Sequence, residues 1–202
     1  MAFAYTIGID EAGRGPLAGR VFVGVVALPQ RLPKNFFSDI TIPLHDSKAL
    51  TARQREAWFL WMKKREVVFS HAAVSAGVID RINISRATDR GAGRALGRVI
   101  KQCSGSCRII ADGSIRIVAD PIHRVINEPR ADQNYAAVAL ASIVAKVLRD
   151  GEMMRLARRY PQYGFEQHKG YGTAHHIRAI KKHGPCLIHR ESFLDHFWHG
   201  KR

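Results

Sequence analysis

Ile7-Gly-Ile-Asp-Glu-Ala-Gly-Arg-Gly-Pro-Leu-Ala-Gly19 decides the reading of this chain. A short apolar run, residues 6–9, reads as a strand that carries two adjacent carboxylates, Asp10 and Glu11, to the rim of a sheet. An arginine between two glycines follows at once. Successive side chains of a strand point to opposite faces, so the two acids converge only where the strand twists or ends between them. Gly13 and Gly15 permit backbone geometry closed to other residues and let a ligand approach the main chain. Exposed amides beside Arg14 suit a phosphate, and the carboxylates suit a hard cation. A cation and a phosphate side by side point to phosphodiester chemistry.

Outward from this stretch, residues 21–28 read as a second strand, too continuously apolar to lie on a surface. Residues 29–43 form a proline-punctuated loop, and a helix over 52–64 follows, with Thr51 as its cap. A strand over 67–76 and a helix over 85–101, capped by Ser85, come next. Glycines 91, 93 and 97 weaken that helix, which close packing on a sheet would explain. Strands at 107–111 and 123–126 precede a long helical stretch over 135–160. Beyond Pro161 the chain turns polar and histidine-rich, with a helix near 174–183. This order predicts an α/β domain over residues 1–160 and a small helical region over 161–202 packed on it.

Asp112 repeats the logic of Asp10: an apolar strand, an acid, a glycine. Asp132 stands before the long helix, near its positive end. Together with Asp10 and Glu11 they make one candidate acidic cluster, which cannot stay fully ionised without a compensating cation. Mg²⁺ or Mn²⁺ suits an oxygen-only site, and two such ions can activate water and stabilise a leaving oxygen. The formal charge of +15, from 32 Lys and Arg against 17 Asp and Glu, favours a polyanionic partner, nucleic acid above all. No apolar run approaches the roughly 20 residues that span a bilayer. Three cysteines at 103, 107 and 186 lack paired metal-ligand spacing and read as free thiols of a cytoplasmic protein. His168, His175, His176, His183, His189, His196 and His199 read as a solvated, partly cationic face.

The chain resembles ribonuclease HII, the prokaryotic type 2 ribonuclease H, almost end to end. The likeness is carried by residues 8–19 above, Asp46-Ser-Lys48, Ala111-Asp-Gly113 and Ala141-Ser-Ile-Val-Ala-Lys-Val147 with Arg149-Asp150. It continues in Tyr160-Pro-Gln-Tyr-Gly-Phe165, His168-Lys-Gly-Tyr-Gly-Thr173 and His189-Arg-Glu-Ser-Phe193. The resemblance implies a ribonuclease H-like fold, a mixed central sheet flanked by helices. It also implies an endonuclease cleaving RNA–DNA hybrids and DNA duplexes at embedded ribonucleotides, leaving 3′-hydroxyl and 5′-phosphate ends. Asp10, Glu11, Asp112 and Asp132 would bind two Mg²⁺ or Mn²⁺ ions. Gly13, Arg14 and Gly15 would read the 2′-hydroxyl and its flanking phosphate, with Tyr171 against the deoxyribose on the 3′ side. Lys48, Ser142 and Lys146 would contact phosphates.

One departure stands at Arg130-Ala-Asp132, where the family usually has Lys-Gly-Asp; a positive φ at 131 would strain the alanine by roughly 1–2 kcal/mol. It motivates a rival from another class, a catalytically impaired nucleic-acid-binding relative. A monomer is the expectation for a nuclease that must embrace a duplex. The segment Glu191–Trp198 loosely resembles a sliding-clamp-binding peptide, with packing of Phe193, Phe197 and Trp198 on the body the preferred reading.

Overall fold

The computed structural model describes residues 3–44 and 49–198, residues 196–198 by their backbone alone. Lys48, with the rest of the Asp46-Ser-Lys motif, lies outside the described residues. So do the side chains of Phe197 and Trp198.

Strand β1 (Tyr5–Ala12) is the middle of a five-stranded sheet. It pairs antiparallel with β2 (Val21–Pro29), and β2 pairs antiparallel with β3 (Val68–Val74). On its other side β1 runs parallel to β4 (Cys107–Asp112), which is parallel to β5 (Arg124–Glu128). The order is β3-β2-β1-β4-β5, a mixed sheet as expected.

Helix α1 (Ala52–Lys64) starts at Thr51 with a capping box: the Thr51 hydroxyl accepts from the Gln54 amide, and the Gln54 side chain accepts from the Thr51 amide. Two short-range readings were displaced. The strand expected over 67–76 ends at Val74, and Ser75 leads instead into helix α2 (Ala76–Ile82). Helix α3 (Ile84–Ile100) is capped not by Ser85 but by Asn83, whose Oδ1 accepts from the Arg86 amide at 3.0 Å. Asn83 has φ 63° and ψ 166°, a positive-φ backbone outside the left-handed helical well that few side chains adopt.

Helix α5 (Ala136–Arg159) fills the long helical stretch expected over 135–160, and a short helix α4 (Ala131–Asn134), not expected from the sequence, precedes it across Tyr135. A 3₁₀ turn (Pro161–Tyr163) then leads to helices α6 (Phe165–His168), α7 (Ala174–His183) and α8 (Glu191–Trp198).

The sheet is covered on both faces. Ile7, Ile9, Val23, Val25 and Ile109 pack with Ala92, Leu96 and Val99 of α3. On the opposite face Val26 and Leu28 meet Trp58 and Met62 of α1 and Leu140 and Val144 of α5. Two glycines set the approach of α5. A Cβ at Gly8 would stand 2.1 Å from the Ala137 carbonyl carbon, and one at Gly24 would stand 2.2 Å from the Ala141 oxygen. The alanine-rich start of α5 therefore lies directly on the strands. Of the α3 glycines only Gly91 is explained by packing, since its Cβ would meet Val23 at 3.0 Å; Gly93 and Gly97 face open space.

Leu17, Ala18, Met153 and Ala157 form an apolar cluster with Tyr163, Phe165, Ile180 and Leu194, which fastens the chain beyond residue 160 to β1–β2 and α5. Phe193 packs here, with the Arg190 guanidinium 5.1 Å from its ring centroid. Asp80 of α2 accepts from the amides of Glu191 and Ser192, holding the start of α8. The histidines do not all form a solvated face. His168, His176 and His189 are buried, with the His176 and His189 Nε2 atoms 3.1 Å apart. Burial holds both of these imidazoles down to about 4, so they sit neutral in the core.

Candidate active site

The acids meet where the pairing of β1 and β4 stops. That ladder ends at Ile9–Ala111, whereas β1 continues beside β2 through Asp10–Gly24 and Glu11–Val23. The strand thus does not end between Asp10 and Glu11. Beyond Ile9 its β4 side is open, and the two acids, pointing to opposite faces, both border the gap, with Asp112 across from them. Here lies a cavity of about 320 Å³ lined by Asp10, Glu11, Ala12, Gly13, Arg14, Gly15, Asp112, Ser142, Lys146 and Tyr171. Nine of the eleven residues singled out in the sequence surround this one cavity; Asp132 and Lys48 are the other two.

Asp10 is 6 % exposed. Burial, then the neighbouring Glu11 charge, push its carboxyl well above the usual carboxylate range, with Asp112 adding a smaller push. Hydrogen bonds from the Ser142 hydroxyl and the Glu11 amide, the latter at 2.7 Å, oppose the shift. Ser142 reaches Asp10 because Gly24, cross-strand from Asp10, lets α5 lie so close. Asp112 Oδ1 accepts from the Ala131 amide at 2.8 Å. The positive φ that would have strained Ala131 falls on Arg130, at 58°, and Ala131 begins α4 without strain. Asp132 is buried and lines a neighbouring cavity of about 460 Å³ with Phe37, Ile40 and Trp58. As the side chains lie, no three His, Cys, Asp or Glu among the described residues are grouped to hold a metal ion.

The cationic wall is built as carefully. Arg14 Nε lies 3.7 Å from Glu11 Oε1. Lys146 Nζ lies 3.0 Å from Asp150 Oδ1 on the next turn of α5. Two fully buried arginines, to which the sequence reading gave no role, hold the glycine loop and Tyr171. Arg190 donates to the carbonyls of Gly13 (2.6 Å), Arg14 (2.8 Å) and Gly19 (3.0 and 2.9 Å). Arg149 donates to the Lys169 carbonyl at 2.8 Å and lies 5.6 Å from the Tyr171 ring centroid. Gly13 has φ 96°, and a Cβ there would stand 2.1 Å from Arg149 Nε. Tyr171, 44 % exposed, is thereby a fixed aromatic surface at the cavity rim.

A mixed sheet with helices on both faces and carboxylates where its two central parallel strands part defines a ribonuclease H-like fold. Comparison with known proteins narrows this. The Ribonuclease HII family model matches residues 7–196. Ribonuclease HII of Caldicellulosiruptor bescii is 38 % identical over 195 residues, 95 % of this chain and 87 % of the relative. That of Endomicrobium trichonymphae is 42 % identical over 187 residues, 92 % and 83 % of the two chains. The crystal structure of the ribonuclease H2 from Pyrococcus horikoshii OT3 superposes with a TM-score of 0.69 at 28 % identity, covering 93 % of each chain. The chain belongs to the ribonuclease HII family and is a ribonuclease H, an endonuclease that hydrolyses phosphodiester bonds.

Proposed function

We propose that the chain cuts the RNA strand of RNA–DNA hybrids and also cuts DNA duplexes at embedded ribonucleotides, leaving 3′-hydroxyl and 5′-phosphate ends. The observation that carries this reading is the single cavity shared by Asp10, Glu11, Asp112, the Gly13-Arg14-Gly15 loop, Ser142, Lys146 and Tyr171. Three carboxylates border it, one of them kept above its ordinary pKa by burial and by its neighbours. An all-oxygen donor set of this kind fits a hard divalent cation, which would relieve the repulsion. Asp10, Glu11 and Asp112 would hold Mg²⁺ or Mn²⁺, and Asp132 would join them by movement of the 130–135 turn. Bound there, the metal supplies activation of water and stabilisation of the leaving oxygen.

The rest is done by the chain itself. The Gly13–Gly15 backbone offers a close approach for a ribose, and Arg14 offers charge for the adjacent phosphate. Tyr171 presents a ring face where a 2′-hydroxyl is absent, so loop and ring together would recognise a junction between RNA and DNA. Ala131 carries no positive φ, so the strain that motivated the catalytically impaired alternative is absent.

A labelled DNA duplex with one ribonucleotide, incubated with Mg²⁺, Mn²⁺ or chelator, tests the reading against an all-DNA control. Metal-dependent cutting on the 5′ side of the ribonucleotide, with a 3′-hydroxyl left behind, is expected. Binding without cutting under either metal would overturn it.

A further inference from the structure

Every exposed position of α3 is serine, arginine or glycine: Ser85, Arg86, Arg90, Gly93, Arg94, Gly97 and Arg98. The arginines recur every four residues, so their guanidinium stems leave the helix about 6 Å apart along its axis. Like charges at this spacing destabilise a helix. Among the described residues no carboxylate makes an ion pair with Arg86, Arg90 or Arg94. The helix's own acid, Asp89, accepts instead from the Arg116 amide at 2.8 Å. Arg98 donates to the His71 carbonyl at 3.0 Å. Gly93 and Gly97 weaken the helix further, and packing does not require them, since an added Cβ at either would meet nothing within 4 Å. At Arg86, Arg90, Gly93, Arg94 and Gly97 this face forgoes helix stability, and no ion pair or packing contact among the described residues offsets it.

The row also starts at the catalytic cavity. Arg14 of the glycine loop donates to the Ser85 hydroxyl at 3.2 Å, so the first turn of α3 abuts the cavity wall. From Arg86 to Arg94 the row runs away from it for about 12 Å, a length over which one strand of a duplex carries about four phosphates. Protein interfaces are anchored by aromatic and aliphatic side chains at their cores, and this face has none. Its charge matches a regular polyanion.

We infer that the Arg86–Arg90–Arg94 row of α3 is a backbone track for one arm of the duplex whose ribonucleotide sits in the cavity, with Gly93 and Gly97 leaving room for a strand to lie against the helix. The inference rests on the function proposed above and adds an extended interaction outside the cavity.

The triple variant Arg86→Gln/Arg90→Gln/Arg94→Gln tests it, with binding measured in chelator over a range of salt. Three duplexes carry one ribonucleotide each: a short one with about four base pairs on either side, and two lengthened on one side only by about ten. The wild type should bind one lengthened duplex at least about tenfold more tightly than the short one. The triple variant should lose that gain and leave the other two affinities unchanged. Its salt dependence on the affected duplex should flatten by about 0.9 in log–log slope for each phosphate that is no longer neutralised, nearly 3 for three. Equal weakening on all three duplexes, or no weakening on any, overturns the track. The variant should melt no lower than the wild type, which separates removal of the arginine row from damage to the fold. Cleavage of the short duplex by the wild type is measured alongside. Its failure would count against the proposed function, while a missing arm effect beside normal cleavage would count against the track alone.

Discussion

Gly13 is held by two demands at once, a φ of 96° and the Arg149 side chain lying where a Cβ would stand. Alanine there meets both a left-handed backbone and a steric clash with a buried guanidinium. Gly13→Ala is therefore expected to cost about 2–4 kcal/mol in chemical denaturation and to slow cleavage as well. A loss below about 1 kcal/mol would show that the loop is looser than this packing requires. Arg149 and Arg190 act as internal struts, taking carbonyls of the loop and of the segment before Tyr171 as partners. In sequence they stood inside family-like blocks with no assigned part, because an arginine is read by default as surface charge. One signal was present: Arg149 lies on the same helical face as Ser142, Ala145 and Met153, all buried. Asp10, Glu11 and Asp112 stand out as candidates because each closes an apolar strand, but their spacing is weak by itself, and it is the family likeness that joins them into one site. What their spacing could not show was the gap that lets Asp10 and Glu11 face one cavity from opposite sides of β1.

Helices α1 and α7 fall where the sequence places them, each behind a threonine whose hydroxyl accepts from the third amide of the helix. Helix α2 was not legible, since its seven residues continue an apolar run that the preceding strand had begun. The start of α3 turned on two good capping residues two positions apart, and the positive-φ backbone of Asn83, invisible in sequence, decided between them. The same helix carries glycines that its fold does not need. Gly93→Ala combined with Gly97→Ala is expected to stabilise the protein by about 1 kcal/mol per site, read from the denaturation midpoint at unchanged slope. Destabilisation would mean that these positions are packed after all.

The molecule as a whole joins a basic exterior to an acidic seam, and a neutral histidine core fastens its C-terminal helices. No helix among the described residues is long and apolar enough to cross a membrane. Buried His176 and His189 have pKa values lowered from 6.5 to about 4. The unfolded chain therefore takes up protons below pH 6.5 that the folded one refuses. Stability from these groups is intact above pH 6.5 and falls as the pH drops toward 4. Denaturation profiles should slope downward over that window, and His176→Gln should reduce the slope; an unchanged slope in the variant would contradict the burial. That burial was not legible because seven scattered histidines in a polar segment give no sign of which rings stack.

The central claim is that the opened β1–β4 seam is where the phosphodiester is cut. Single-turnover cleavage of a ribonucleotide-containing duplex by Asp10→Asn and Asp112→Asn, with thermal melting of each, tests it most directly. Both variants should lose about 10²–10³-fold or more in rate while remaining folded. Asp10→Asn should melt no lower than the wild type, because it removes a buried carboxylate crowded by Glu11 and Asp112. Cleavage near the wild-type rate by either folded variant would place the chemistry elsewhere.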